Sequence, residues 1–199
     1  MGEKEIRRVI IVTGTPGVGK SSVSAALAER INAHHISLGR LVTEERLYTG
    51  LDKDRDTLIA DLDRVSERVR KILNEVHGDI IIEGHYAVDV VDPKNVHMIF
   101  VLRRDPEELT RVLKNRNYNE CKIKENVAAE ILDVCLYEAV NRCGLEKVCE
   151  VNMTGKNVNE AVEEIIEILE GKREKRVGIV DWLGKLEAED KLDEYLKDI

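Results

Sequence analysis

The sequence predicts an α/β protein, a five-stranded parallel sheet flanked by helices and followed by a C-terminal helical extension. Three observations carry this expectation. Short runs rich in Val and Ile alternate with longer segments of helical period, the pattern of a parallel sheet covered on both faces. A glycine-rich turn, Gly14-Thr15-Pro16-Gly17-Val18-Gly19-Lys20-Ser21, directly follows the first of those runs and opens a helix. The 199 residues suit one domain plus an appendage, with 43% apolar residues to form a core.

The elements follow in order. The run RVIIVT at 8–13 is the first strand, and a helix over 19–32 starts where the glycine-rich turn ends. AHHIS at 33–37 is the second strand, followed by helical periodicity over 38–48 and 60–76. DIIIEG at 79–84 and VHMIFVL at 96–102 are the third and fourth strands. Asp105-Pro106 then starts a helix over 106–116, because Pro suits the first helical position and Asp the cap before it. A short loop at 116–123 leads to a helix over 124–141, then to the fifth strand, KVCEV at 147–151, and a helix over 158–169. The basic knot KREKR, 172–176, separates a domain over 1–171 from a tail over 172–199.

Composition narrows the function classes. Lys and Arg number 31 against 39 Asp and Glu, a net charge of −8, and aromatics are 4% of residues. A nucleic-acid binder would want a basic face and stacking rings, so no direct nucleic-acid binding is expected, whereas a basic protein partner would suit the acidic surface. The N-terminal stretch lacks a long apolar region, and no run of about 18 apolar residues follows, so neither export nor a membrane span is expected. Cys121, Cys135, Cys143 and Cys149 form no C-x-x-C pair; free thiols in a reducing cytosol are expected.

The glycine-rich turn matches G-x-x-x-x-G-K-[ST] in full. In that pattern Gly17 and Gly19 let backbone N–H groups turn inward onto phosphate oxygens, and the helix behind adds its positive end. Lys20 would bridge the β- and γ-phosphates of ATP, and the Ser21 hydroxyl would ligate Mg²⁺. A second carboxylate near the metal is expected at the carboxyl end of a neighbouring strand, where Glu83 stands after three consecutive isoleucines. His85 could orient an attacking water or polarise a transferred group. Arg103, Arg104, Arg111 and Arg116 are candidates to neutralise phosphate charge from a hinged element. His34, His35, His77 and His97 have no metal-ligating spacing and read as structural.

Together, TGTPGVGKSS, ISLGRLVTEERLYTG, IIEGHYA, VLRRDPEELTRVLKNRNYNECKIKENVAAEI and NMTGKNVNEA resemble the adenylate kinase isoenzyme 6 family, the nuclear and archaeal branch of the nucleoside monophosphate kinases, over about 9–171. The resemblance implies a P-loop nucleoside monophosphate kinase fold with an acceptor-nucleotide region near 37–60 and a short lid near 115–125. It implies a Mg²⁺-dependent adenylate kinase, ATP plus AMP giving two ADP, with ATPase activity. It further implies assistance to small ribosomal subunit assembly through a basic ribosomal protein, as a monomer or partner-bound, in the cytoplasm of an archaeon or the nucleus of a eukaryote. Carried onto this sequence, Gly17, Gly19, Lys20, Ser21 and Ser22 hold the ATP phosphates, Arg116 acts from the lid, Lys156 lies beside the adenine, and Glu83 with His85 form the acidic-x-histidine element used in hydrolysis. Alternatives are an assembly ATPase with negligible AMP phosphorylation and a non-catalytic nucleotide-dependent binding module; intact Lys20, Ser21 and Glu83 weigh against the latter.

Three departures stand out. The family's lid often reads Arg-Gly-Tyr, whereas Arg116-Asn117-Tyr118 stands here, and Asn tolerates a left-handed backbone better than most residues. Arg40 replaces a common Asp and Thr43 a common Arg, so either Arg40 or Arg46 takes over contact with the acceptor phosphate or AMP binds poorly. In the tail, Ile179, Trp182, Leu183 and Leu186 share a helical face that Leu192, Tyr195, Leu196 and Ile199 do not. Two short helices broken near 187–190, or one helix between the domain and a partner, would satisfy both groups. Packing on the domain is expected, and Trp182 is expected to respond to a protein partner more than to ATP.

Overall fold

The computed structural model describes residues 7–53, 55 and 57–197. The strands are β1 (Val9–Thr13), β2 (His34–Ser37), β3 (Tyr48–Asp52), β4 (Thr57–Ala60), β5 (Ile80–Glu83), β6 (Met98–Arg103) and β7 (Val148–Asn152). Five of them form a parallel sheet in the order β2-β5-β1-β6-β7, and β3 pairs with β4 as a separate antiparallel hairpin. All five expected strands are present, with ends displaced by one or two residues.

Alternation in the central strand explains its unbroken apolar run. Ile10 and Val12 face one helical layer and Val9 and Ile11 the other, so no position in the run can be polar. The first layer holds α1 (Lys20–Ile31), α5 (Pro106–Asn115), α6 (Glu120–Ile131) and α8 (Val158–Leu169), which contribute Leu27, Leu109, Val127 and Ile165 to the core. The second holds α2 (Leu38–Glu44), α3 (Leu62–Glu75), α4 (Ala87–Val90) and α7 (Val134–Cys143), contributing Leu38, Val65, Val69, Val88 and Ala139. Each fully buried aliphatic side chain stabilises the fold by roughly 1.5–3 kcal/mol relative to exposure. α8 coincides with its predicted bounds because its start is doubly specified. The Asn157 side chain accepts from the Glu160 N–H at 3.0 Å, and the Glu160 carboxylate accepts from the Asn157 N–H at 2.8 Å.

Two expected helices depart from expectation. The helix expected over 38–48 ends at Glu44, because Arg46 adopts φ 55° and turns the chain into β3. The hairpin itself was not foreseen. The helix expected over 124–141 starts earlier, at Glu120, where the Asn119 side chain accepts from the Lys122 N–H at 2.8 Å, and it breaks at Asp133, whose φ is 57°. The lid loop therefore shortens to the turn at 116–119, where Asn117 takes the left-handed conformation, φ 56°, expected of it.

The tail forms two short helices, α9 (Trp182–Ala188) and α10 (Leu192–Leu196), separated at Asp190 with φ 54°. Trp182 and Leu186 enter the first-layer core, and Leu192, Tyr195 and Leu196 pack against it. The expected packing of the tail on the domain is thus observed for Trp182 and Leu186, whereas Ile179 and Leu183 of the same expected face are exposed. Ile199, the last member of its apolar face, lies outside the described residues, as does the charged stretch 1–6.

Candidate active site

The glycine-rich turn joins the end of β1 to α1, at the carboxyl edge of the sheet. Two of its glycines have no substitute. Gly14 has φ +134°, and a Cβ there would lie 2.5 Å from the Leu102 carbonyl oxygen; Gly17 has φ +99°, and a Cβ would lie 2.8 Å from Leu109. Lys20 is buried, which pulls its pKa below the ordinary value, and its Nζ donates to the Gly14 carbonyl at 2.7 Å and the Thr15 carbonyl at 3.0 Å. With those two bonds the ammonium spans the inside of the turn and faces the cleft.

Glu83 reaches this turn through sheet register. It pairs with Val12 across β5 and β1, one residue before β1 ends, and its Oε1 accepts from the Ser21 hydroxyl at 3.1 Å. The two groups meet at the floor of a cleft of about 450 Å³. One wall carries Gly17, Gly19, Lys20, Ser21 and Ser22; across it stand Ser37, Gly39 and Arg40 with Thr57 of β4. Arg116, Tyr118 and Lys122 lie at the lid, with His85 and Tyr86 beside Glu83. His85 is exposed to solvent at the cleft, although neighbouring groups crowd around it. Desolvation, followed by the Lys20 ammonium, pushes its pKa down to about 4 against the opposing pull of Glu83. The ring meets Tyr86 edge-on at 4.7 Å.

Of the predicted site residues, the cleft thus brings together Gly17, Gly19, Lys20, Ser21, Ser22, Glu83, His85 and Arg116. Lys156 is not among them: its ammonium pairs with Glu164 of α8. Arg103 is corrected outright. Its guanidinium is 2% exposed and binds Glu130 at 2.9 Å, Glu150 at 2.5 Å and Asp133, so it holds the interior of the protein and faces no phosphate. Arg104, Arg111 and Arg46 do not line the cleft, whereas Arg40 does while pairing with Glu44 at 3.1 Å.

The sequence reading missed two features of the site. One is the hairpin, whose tip is fastened to α6: Arg55 meets Glu125 through two bonds of 2.7 and 2.9 Å, and Lys122 Nζ donates to the Arg55 carbonyl at 3.0 Å and the Thr57 hydroxyl at 2.7 Å. Lys122 also lies 4.6 Å over the Tyr118 ring. The period-two pattern of TGLD and TLIA around a charged turn was the available signal. The other is Glu130, which accepts from the Thr15 hydroxyl of the glycine-rich turn at 2.7 Å. No local pattern marks a contact that spans 115 positions.

The donors present suit Mg²⁺. A hydroxyl and a carboxylate oxygen are hard ligands, and the ion binds through one or two such groups with the remainder supplied by phosphates and water. Among the described residues no cluster of three or more His, Cys, Asp or Glu could hold a metal.

Comparisons with known proteins agree with this geometry. A family model described as an AAA domain matches residues 10–133. Three archaeal relatives bear the name "Putative adenylate kinase". The Methanosarcina barkeri protein is 41% identical over 184 residues, covering 88% of this chain and 97% of its own. The Methanocaldococcus jannaschii protein is 38% identical over 176 residues, covering 88% and 93%, and the Thermococcus onnurineus protein 39% over 190, covering 94% and 97%. Among solved structures, shikimate kinase from Bacteroides thetaiotaomicron aligns with a TM-score of 0.54 at 18% identity, covering 82% of this chain and 98% of that one. That likeness shows that the two chains share their fold.

Proposed function

The chain belongs to the family of these archaeal relatives, and we propose that it is an adenylate kinase, transferring the γ-phosphoryl group of ATP to AMP, with hydrolysis of ATP as a second activity. The observation that carries this reading is the two-walled cleft. The glycine-rich turn with Lys20 forms one wall, and Ser37, Gly39, Arg40 and Thr57 face it from the region expected to bind the acceptor nucleotide. Phosphoryl transfer asks the protein mainly for positioning and neutralisation of charge. Backbone N–H groups at Gly17 and Gly19 and the Lys20 ammonium hold the donor phosphates. Ser21 and Glu83 would hold Mg²⁺, which when bound would draw charge from the phosphate oxygens. Arg116 neutralises charge from the lid, and Arg40 is the cation placed to meet the acceptor phosphate.

Hydrolysis needs in addition a group that orients water, and neutral His85 beside Lys20 and Glu83 is suited to that task. The resemblance to the isoenzyme 6 branch supports a further role in small ribosomal subunit assembly, with a basic ribosomal protein as partner for a chain of net charge −8, in the cytoplasm or nucleus according to the organism.

The test is ATP consumption with and without AMP, and with and without a basic small-subunit ribosomal protein. The reading expects ADP formation to rise on adding AMP, and both reactions to be abolished in a folded Lys20→Ala protein, since one charge-assisted contact in the transition state is worth several kcal/mol, roughly 3–4. Turnover near the wild-type rate in that variant would remove Lys20 from the site. ATP consumption indifferent to AMP would leave the assembly ATPase as the function.

A further inference from the structure

We propose that Glu130 is a positioning residue that couples the phosphate-binding turn to the C-terminal tail, so that nucleotide occupancy is transmitted to Trp182 in addition to any response of this residue to a protein partner. The inference rests on the reading that Gly14–Ser21 binds ATP phosphates. Glu130 is 2% exposed, and its two oxygens serve different parts of the molecule. Oε2 accepts from the Thr15 hydroxyl at 2.7 Å. Oε1 accepts from Arg103 Nε at 2.9 Å, the Arg104 N–H at 3.1 Å and the Trp182 indole N–H at 3.2 Å. Arg103 continues the connection to Glu150, whose other oxygen accepts from the backbone N–H groups of Gly178 and Ile179, at the entry to α9. The tail is therefore tied to the turn along two routes, both passing through one buried carboxylate.

This linkage has a trigger at its other end. Lys20 Nζ donates to the carbonyls of Gly14 and Thr15, so drawing the ammonium onto a phosphate weakens the bonds that fix the Thr15 peptide. A hydrogen bond of 2.7 Å is steep in distance, and a buried network is packed too closely to absorb displacement locally. Movement at Thr15 is passed by the Glu130 carboxylate to its longest bond, the one from Trp182. Purely structural anchoring of the tail would leave that bond indifferent to nucleotide. Trp182, the chain's single tryptophan, is 7% exposed, so its emission reports the field and hydrogen bond at the indole rather than entry of water.

The experiment follows Trp182 emission in the full chain as Mg-ATP is added, beside calorimetric measurement of Mg-ATP binding. In the wild type the emission should shift and saturate with the calorimetric affinity. Glu130→Ala would strand Arg103 and risk unfolding, so the link is cut instead with Thr15→Val, which keeps the side-chain shape and loses the donor. At Mg-ATP concentrations that saturate each variant, the shift should fall at least about fivefold in Thr15→Val and return in Thr15→Ser. Calorimetric binding without any wild-type shift, or an undiminished shift in Thr15→Val, overturns the coupling and leaves the kinase reading standing. Absence of calorimetric binding overturns both.

Discussion

A neutral imidazole next to an ammonium is a poor ligand for phosphate and a good acceptor for a water O–H, and this decides between the roles open to His85. With its pKa pushed to about 4, chiefly by desolvation and then by Lys20, His85 is uncharged across the physiological range. AMP brings its own nucleophilic oxygen, while hydrolysis must recruit one, so the two reactions differ in their need for this side chain. His85→Ala should lower ATP hydrolysis at least about tenfold, roughly 1.4 kcal/mol, and largely spare AMP-dependent ADP formation at saturating nucleotide. The pH profile of hydrolysis gives a second check. A base whose pKa is lowered stays active as pH falls through 6.5 and loses function only near its own pKa, so the acid limb should fall toward about 4. Equal loss of both reactions in His85→Ala would assign it to the shared phosphate site. Lys20, Ser21, Glu83 and His85 were legible because the chemistry sits in contiguous motifs at strand ends. Tyr86, Tyr118 and Lys122 were not, because nothing local distinguishes a cleft-facing tyrosine from any other.

Among the elements, the β3-β4 hairpin, which brings Thr57 to the cleft, is joined to α6, and its fastening is polar. The side chains of Arg55 and Glu125 are 52% and 45% exposed, so solvent screens their ion pair and it adds little to stability. Its position above the cleft gives it a larger effect on binding. Arg55→Ala should leave the melting temperature within about 2–4 °C of wild type and raise KM for the acceptor nucleotide several-fold with little change in kcat. Steady-state kinetics with AMP varied would show this, and the effect should shrink in a Glu125→Ala background, since the two substitutions remove the same pair. A fall in kcat with unchanged KM would mean that the hairpin serves the chemistry instead of acceptor capture. The hairpin escaped the sequence reading because strands of four or five residues carry few alternations, and the helical pattern of 38–48 overran its start. The break at Asp133 was hidden for a different reason. It is stabilised from a distance by Arg103, and neighbouring residues do not encode it.

At the scale of the molecule, the sheet and its two apolar layers were readable from periodicity, since every buried strand had to be apolar on both faces. The break in the tail was readable as well, from two apolar faces that one helix cannot align. Its anchoring was not, because it depends on ion pairs between residues 80 or more positions apart. Lys185 donates to Asp105 at 2.5 Å and Lys191 to Glu107 at 2.6 Å, fastening the tail to the start of α5. Asp105 also caps that helix, accepting from the N–H groups of Glu107 at 2.9 Å and Glu108 at 3.3 Å. Burial acts to raise its pKa, but Lys185 and the two N–H groups outweigh it and hold the carboxyl below its ordinary 3.8. A lowered carboxylate pKa contributes stability that is present above the unfolded value and is lost as pH falls through the folded one. Asp105→Asn keeps the cap and removes the charge, isolating the contact with Lys185. Because Lys185 is 38% exposed, the loss is screened to about 1 kcal/mol, or roughly 2–4 °C in melting temperature for a chain of this size. That loss should be seen at pH 7 and should shrink as pH falls from 3.8 through the lowered pKa of the folded protein, below which the wild type has also lost the ion pair. A deficit that persists unchanged after Asp105 has been protonated in the wild type would show that the cap geometry, and not the charge, holds the tail to α5.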